Sequence, residues 1–270
     1  MSSAFALLGH PVSHSLSPLM FNTMFARLDI DAHYAAIDIP QGTPLELRDI
    51  FDAHGLSGVN LTVPHKTNVL AQLDHVSGPA EQAGAVNVVV RDGAALIGHN
   101  TDGRGFLDAL GDRPGHTVVL LGAGGAARAI ACAVMADGAR DVVVLNRSPE
   151  RAEAMLHQLH ASAQDVTLRH APLTTEAFAD AAHQATLVVN CTAAGARFTI
   201  GDFQPSVLAP GACWVDINYW DLEPPCKAAC LDAGVRFQTG HGMLAHQAAH
   251  GFFLFTGQRC DGDELMRLIS

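Results

Sequence analysis

The sequence predicts an α/β protein of two domains, and three observations carry that prediction. At 270 residues the chain is long for one domain and comfortable for two, with 49 % apolar residues to fill two cores. Charged residues make up only 16 %, and Gly and Ala are abundant, as expected where helices pack closely on sheets. Third, an apolar run of strand formers stops at a glycine-rich turn and re-enters as an Ala-rich helix.

That third feature spans Thr117 to Ala127, read Thr-Val-Val-Leu-Leu-Gly-Ala-Gly-Gly-Ala-Ala. Val118 to Leu121 suit a buried strand, and after Gly124 and Gly125 an Ala-rich segment of high helix propensity runs to about Asp137. Gly122, Ala123, Gly124, Gly125 and Ala126 form a Gly-x-Gly-x-x-Gly/Ala loop, with Ala127 in its third place. Gly122 permits the tight turn, Gly124 lets a pyrophosphate approach the backbone, and Ala127 lets helix and strand pack closely. The helix N-terminus then offers free N–H groups to phosphate. A second strand at Asp141 to Leu145 completes a dinucleotide-binding unit of the Rossmann type.

Composition excludes other classes. The net charge is −11 with no block of Lys or Arg, so nucleic acid is not an expected partner. No apolar run reaches the ~20 residues needed to span a bilayer, and the N-terminus lacks a signal-peptide pattern; a cytoplasmic location follows by elimination. The six cysteines include no Cys-x-x-Cys pair, although Cys226 and Cys230 share a helix face. His246 and His250 stand at i and i+4, yet Gln247 occupies the place where a zincin would carry its Glu. No metal site is expected.

Taken in order, Phe5 to Leu8 reads as a buried strand ending at Gly9. A turn rich in hydroxyls follows, His14-Ser15-Leu16-Ser17-Pro18, in which Ser17 is expected to cap a helix over Leu19 to Leu28. Capping accounts for Ser17 but not for Ser15, and hydroxyls at a strand end suit a small polar ligand such as a carboxylate. His33 to Ile37 is a second strand, and Leu45 to Ala53 a helix closed by Gly55. Gly58 to Val63 is a strand running into Pro64, which is expected to open a helix with Lys66 in its first turn. A cation there stands against the helix dipole, which raises the case for a catalytic lysine. Val88 to Arg91 and Ala95 to Gly98 form a hairpin about Asp92-Gly93. Asn100-Thr101-Asp102-Gly103 then opens a helix to Leu110, with more polar groups than a cap requires.

Gly111 to Gly115 reads as a hinge into the nucleotide half. The second strand of that half ends in Asn146-Arg147-Ser148, with Arg151 one helical turn on. An NAD site would place Asp or Glu here to hold the ribose 2′-OH, whereas two guanidinium groups complement a 2′-phosphate, so the cofactor is read as NADP. Thr186 to Asn190 is a strand entering a small-residue loop, Cys191-Thr192-Ala193-Ala194-Gly195, suited to lie against a nicotinamide or ribose. Ala212 to Asp216 is another, followed by Ile217-Asn218-Tyr219-Trp220. Pro224 and Pro225 open a helix to Asp232, and Val235 to Gln238 is the last strand. A long apolar helix to Phe255 and a final one, Glu264 to Ile269 with Asp261 as cap, have no strand partner and are expected to return to the N-terminal domain.

Together these segments resemble the shikimate dehydrogenase family over nearly the whole chain. The marks are His14 to Pro18, Asn60-Leu61-Thr62-Val63-Pro64-His65-Lys66, Gly84-Ala85-Val86-Asn87, Asn100 to Gly103, the Gly122 loop, Asn146-Arg147-Ser148, Asn190-Cys191-Thr192, and Gly242-Met243-Leu244 with Gln247. The resemblance implies an N-terminal α/β substrate domain with a mostly parallel sheet, residues 1–102 joined by 238–270, and a Rossmann NADP-binding domain, residues 103–237. It implies reversible reduction of 3-dehydroshikimate to shikimate with NADPH, towards chorismate and the aromatic amino acids, in a monomer or homodimer. By position, Lys66 and Asp102 are the catalytic pair. Ser15 and Ser17 hold the substrate carboxylate near Tyr219, and Thr62, Asn87, Thr101 and Gln247 bind ring hydroxyls. Asn146, Arg147, Ser148, Arg151, Thr192, Gly240 and Met243 join residues 122–126 on the cofactor. Three positions depart from the family's habit: Val88 and Ser148 stand where Thr is usual, and Ala193 where Ser or Pro is.

In the implied reaction, hydride reaches the ketone carbon and negative charge builds on its oxygen. A cationic acid at that oxygen stabilises the charge and supplies the proton, which fits Lys66. Asp102 opposes deprotonation of its neighbour and is read mainly as orienting Lys66 and a substrate hydroxyl. Two alternatives remain open at this point: a relative acting on quinate or an aminated shikimate, and a ligand sensor that kept the fold without turnover.

Overall fold

The computed structural model describes residues 2–40, 42–111, 115–163, 165–192, 202–221 and 223–270. Its strands, in chain order, are β1 (Ser3–Gly9), β2 (Ala32–Asp38), β3 (Leu56–Leu61), β4 (His75–Val76), β5 (Val88–Asp92), β6 (Ala95–His99), β7 (Thr117–Leu121), β8 (Asp141–Asn146), β9 (Thr167–Pro172), β10 (Leu187–Asn190), β11 (Cys213–Asp216) and β12 (Arg236–Thr239). The α-helices described are α1 (Ser17–Arg27), α2 (Leu47–His54), α3 (Gly78–Ala83), α4 (Asp102–Leu110), α5 (Gly125–Ala136), α6 (Pro149–Leu159), α7 (Thr175–Ala182), α8 (Pro225–Asp232), α9 (His241–Thr256) and α10 (Gly262–Ile269).

Two six-stranded sheets result. The first has the order β2-β1-β3-β5-β6-β4, in which β5 alone runs against its neighbours on both sides. The Asp92-Gly93 hairpin reverses the chain there, with Gly93 at φ 58°. The second sheet is parallel throughout, in the order β12-β11-β10-β7-β8-β9. Counted from β7, that is the doubly wound order 3-2-1-4-5-6, and its switch point lies between β7 and β10. Strands covered on both faces read as continuous apolar runs, and Val118 to Leu121 and Val142 to Leu145 are all buried.

The expected elements appear with shifted ends, except the helix expected behind Pro64, which does not form. Sequence reasoning passes over β4, β9, α3 and α7, which are short or carry weak patterning. The boundary expected at residue 238 falls inside β12, whose pairing with β11 continues to Thr239. The hinge expected over Gly111 to Gly115 lies partly outside the described residues.

The helices without strand partners do return. α9 and α10 pack on α1 and β1 through Phe5, Phe21, Phe25, Ala245, Ala248, Phe252 and Leu265. The rings of Phe5 and Phe255 stack at 4.6 Å, and those of Phe21 and Tyr34 at 4.4 Å. Asp261 caps α10 as expected, accepting from the Asp263 N–H at 2.9 Å. α4 lies between α9 and α5, and glycines set how close it comes. A Cβ on Gly105 would overlap the backbone nitrogen of Gln247, and one on Gly103 would sit 2.5 Å from the Ala129 oxygen.

Candidate active site

Lys66 is positioned by turns, not by a helix. After β3 the His65 N–H bonds the Thr62 carbonyl at 2.9 Å and the Asn68 N–H bonds the His65 carbonyl at 3.1 Å. Residues 63–68 are in turn conformation, so the expected helix behind Pro64 does not form and the dipole argument for Lys66 lapses. Anchoring comes instead from neighbours. His65 is buried with Nε2 3.1 Å from the Ile39 oxygen, and the Val86 N–H bonds the Lys66 carbonyl at 2.7 Å.

From there Lys66 Nζ donates to Asp102 Oδ2 at 2.7 Å. The two side chains are 15 % and 3 % exposed, so the pair is largely shielded while the ammonium keeps one open side. Asp102 opens α4; its N–H goes to Asn100 Oδ1 at 3.0 Å, and its Oδ1 accepts from Asn87 Nδ2 at 2.9 Å. Thr101 occupies the N-cap position without capping, its hydroxyl accepting from Asn87 at 2.9 Å and its N–H donating to Asn87 Oδ1 at 2.8 Å. Asn87 Nδ2 thus faces three acceptors with two hydrogens. Thr101 and Asp102 are the nearer; Gln247 Oε1, at 3.3 Å, keeps capacity for an incoming hydroxyl.

The serine turn lies at the end of β1. Ser17 proves to be the first residue of α1 with Leu16 at the N-cap, so Ser17 is not the cap. The hydroxyl that satisfies the helix start is that of Ser15, which accepts from the Ser17 N–H at 3.2 Å. Two serines two residues apart offer the same capping chemistry, and local sequence cannot choose between them. Tyr219, on the segment after β11, meets Ser15: burial raises the phenol's pKa, and the hydrogen bond with Ser15 draws it partly back. Thr62 closes the other side, where any Cβ on Gly9 would overlap its methyl group.

Two residues outside the expected set join these groups. Tyr34 donates to Asn60 Oδ1 at 2.8 Å, and Asn60 Nδ2 donates to the Asn87 carbonyl at 3.2 Å. Both are buried, and burial pushes the Tyr34 phenol well above its ordinary pKa although a Ser17 hydrogen bond opposes it. The signal for Asn60 is present in the sequence as a carboxamide within an otherwise apolar buried strand.

The cofactor side faces this cluster. A Cβ on Gly125, the first residue of α5, would lie 2.8 Å from Lys66 Cβ, so the glycine loop meets the lysine directly. Gly122 adopts φ +104°, and a Cβ there would sit 3.1 Å from the Cys191 oxygen. At Gly124 a Cβ would meet nothing within 4 Å, leaving room before the helix N-terminus. Arg128, one turn into α5, keeps a buried Nε that has no hydrogen-bond partner among the described residues. A positive group with one unmet donor, open space and a free helix start fit a dinucleotide phosphate. Asn146 Nδ2 donates to the Ser148 carbonyl at 2.8 Å; Ser148 caps α6 and donates to Glu150 Oε2 at 2.7 Å. Arg147 and Arg151 are exposed, and among the described residues neither is paired with a carboxylate. Thr192 bonds Asn190 Oδ1 through its N–H at 3.0 Å and its hydroxyl at 2.6 Å. Gly240 and Met243 are buried beyond β12. Ala193 lies outside the described residues.

The two histidines spaced i and i+4 each meet a carboxylate. His250 Nε2 is 2.7 Å from Asp108 Oδ2, and His246 Nε2 is 3.3 Å from Asp263 Oδ1. Cys191 lies close enough to the centre that, after burial, the charges of Asp216 and Asp102 raise its thiol pKa further while Lys66 opposes them.

Family models cover most of the chain. The shikimate dehydrogenase substrate binding domain matches residues 7–89, shikimate / quinate 5-dehydrogenase residues 107–217, and the shikimate 5′-dehydrogenase C-terminal domain residues 240–267. The shikimate dehydrogenase (NADP(+)) of Symbiobacterium thermophilum is 39 % identical over 260 residues, 94 % of this chain and 88 % of that one. The chain belongs to the shikimate dehydrogenase family. Within it, the shikimate 5-dehydrogenase of Thermus thermophilus, solved in complex with NADP(H) and shikimate, superposes at a TM-score of 0.83 with 36 % identity over 99 % of this chain and 98 % of the other. The quinate dehydrogenase of Corynebacterium glutamicum, solved with NAD, reaches 0.86 with 30 % identity over 99 % and 98 %. Against the family's habit of Thr, Val88 is fully buried in β5, 3.7 Å from where a Gly251 side chain would begin on α9.

Proposed function

We propose that this chain catalyses the reversible, NADP-dependent reduction of 3-dehydroshikimate to shikimate. The observation that carries the reading is the Lys66–Asp102 pair, 2.7 Å apart, shielded on one side and facing the start of the glycine-loop helix on the other. When bound, the nicotinamide supplies the hydride. Lys66 gives its proton to the developing alkoxide and takes it back in the reverse direction, and Asp102 holds the ammonium in place. Proton transfer of this kind contributes about 10²–10⁴-fold. Ser15, Ser17 and Tyr219 grip the substrate carboxylate, while Thr62, Asn87, Thr101 and Gln247 take the ring hydroxyls.

Residues 122–126 and the α5 N-terminus receive the pyrophosphate, Asn146, Arg147, Ser148 and Arg151 the adenosine 2′-phosphate, and Thr192, Gly240 and Met243 the nicotinamide end. The relatives named for NADP and shikimate support both halves of the reading. Residues 1–102 with 238–270 form the substrate unit and 103–237 the cofactor unit, in a cytoplasmic monomer or homodimer. No helix among the described residues is long and apolar enough to cross a membrane.

The test is absorbance of the reduced nicotinamide with shikimate or quinate, each offered with NADP or NAD. Shikimate with NADP is expected to give the highest kcat/KM. A higher value for quinate with NAD would transfer the chain to the quinate branch, and no turnover with any pair would make it a binding protein.

A further inference from the structure

The strongest feature outside the groups already assigned is a buried carboxylate, Asp216, the last residue of β11. It pairs in register with Asn190, the last residue of β10, which in turn pairs with Leu121 at the glycine loop. Asn190 and Asp216 are each 4 % exposed. Asn190 Nδ2 donates to Asp216 Oδ2 at 2.9 Å, so the amide oxygen of Asn190 must point the other way, to Thr192. On its second oxygen Asp216 accepts from the Asn218 N–H at 3.0 Å and from Asn218 Nδ2 at 2.7 Å. Asn218 Nδ2 also reaches the Thr192 carbonyl at 3.2 Å.

The N–H, hydroxyl and carbonyl of Thr192 therefore all end, through two asparagines, on one carboxylate. An asparagine amide has no fixed orientation of its own, since either end can face a partner of matching kind. Only an acceptor-only group at 216 forces both amides to present nitrogen inward. The residue after Asn218 is Tyr219, which meets Ser15 in the turn that follows β1 of the other sheet. One carboxylate thus stands behind a cofactor-side loop and a substrate-side arm.

Keeping a charge here opposes folding. Burial raises the Asp216 pKa above its ordinary value, with Asp221 adding to the shift, while Asn190 and Asn218 draw it back. A carboxyl whose folded pKa is raised loses stability as pH climbs from the unfolded value to the folded one, so at neutral pH the charge is a burden on the fold. A scaffold role alone has no need of it.

We infer that Asp216 is a positioning residue for the reaction, holding the Thr192 loop and the Tyr219 segment in one arrangement so that cofactor and substrate are aligned together. The inference rests on the proposed function. It is tested with Asp216→Asn, which conserves shape but offers a donor where three donors converge, and with Asn218→Ala, Tyr219→Phe and the Asp216→Asn/Tyr219→Phe double variant. Thermal midpoints establish that each variant is folded, kinetics give kcat and KM for shikimate, and calorimetry gives the Kd of NADP without turnover.

Asp216→Asn is expected to lower kcat by about tenfold or more, because small misplacements of reacting groups are costly, and to weaken both shikimate and NADP. Adding Tyr219→Phe is expected to raise the shikimate KM no further, since both changes act through the same arm. Asn218→Ala should show the same two-ligand pattern at smaller amplitude, and it carries the test by itself if Asp216→Asn does not fold. Parent constants in a folded Asp216→Asn, or in Asn218→Ala, overturn the inference. So does weakening of one ligand alone, or an additive double variant. A parent protein without turnover on shikimate and NADP would instead remove the proposed function, and the NADP affinities would still report on the Thr192 loop.

Discussion

At the scale of single residues, the chemistry turns on how Lys66 is held. Its ammonium has a carboxylate on one side and space on the other, the arrangement a proton donor needs. Lys66→Ala should lower kcat by orders of magnitude with a modest change in shikimate KM, because the lost interaction forms mainly in the transition state. Single-turnover and steady-state assays check it. A residual rate above about a tenth of the parent would leave less than ~1.4 kcal/mol of barrier to Lys66. The same variant strands Asp102 with Asn87 as its side chain's one remaining hydrogen-bond partner among the described residues. Breaking a fully buried pair costs about 3–5 kcal/mol, less here because Lys66 is 15 % exposed, so a lowered thermal midpoint should accompany the lost rate. Arg147 makes a separate test. Arg147→Ala should raise the KM for NADP by about tenfold to hundredfold and leave that for NAD nearly unchanged; equal effects on both cofactors would remove the 2′-phosphate assignment.

At the scale of elements, a close approach joins α4 to α9 and fixes Gln247 relative to Asp102. Gly105 makes that approach possible. Gly105→Ala gains up to about 1 kcal/mol in helix propensity, but overpacking costs about 1–3 kcal/mol when backbone atoms cannot give way. The added methyl meets the Gln247 backbone, with the Cα at 2.7 Å, so overpacking wins. The expected result is a lower thermal midpoint and a higher shikimate KM, with NADP affinity retained because the glycine loop lies on α5. Unchanged shikimate kinetics would show that Gln247 does not report on this crossing. The serine turn belongs to the same scale. Since Ser15 supplies the bond that starts α1, Ser15→Ala removes a helix-start contact along with the proposed carboxylate grip.

Across the whole molecule, stability and function share the contacts that tie α9 and α10 back to the rest. Asp108 on α4 accepts from His250 on α9 at 2.7 Å and pairs with Arg104 at 2.9 Å. Burial alone would raise its carboxyl, but the hydrogen bonds and charges of His250 and Arg104 together hold it below the ordinary value. A carboxyl with a depressed folded pKa adds stability that is present above the unfolded value, about 3.9, and disappears as pH falls through the folded one. Asp108→Asn should therefore flatten the loss of thermal stability below about pH 4, measured as the slope of midpoint against pH. An unchanged slope would place the acid sensitivity elsewhere.

The sequence by itself determined the second sheet except for its edge strand β9, because a buried parallel strand, a tight glycine turn and an Ala-rich helix leave few other ways to satisfy their backbones. It also marked Ser15, Lys66, Thr101 and Asp102, which each follow a strand whose apolar pattern is local, whereas Asn87 precedes its strand and was marked only by the family resemblance. What it could not determine were interactions whose partners lie far along the chain. Lys66 is aimed by His65 on Ile39 and by Val86, not by the helix its local residues suggested. Asn60 and Asp216 read as single polar residues in apolar strands until Tyr34, Asn87, Asn190 and Asn218 are brought beside them. Local propensity is encoded over a few residues, whereas a buried polar group is tolerated only by partners that the tertiary structure alone supplies.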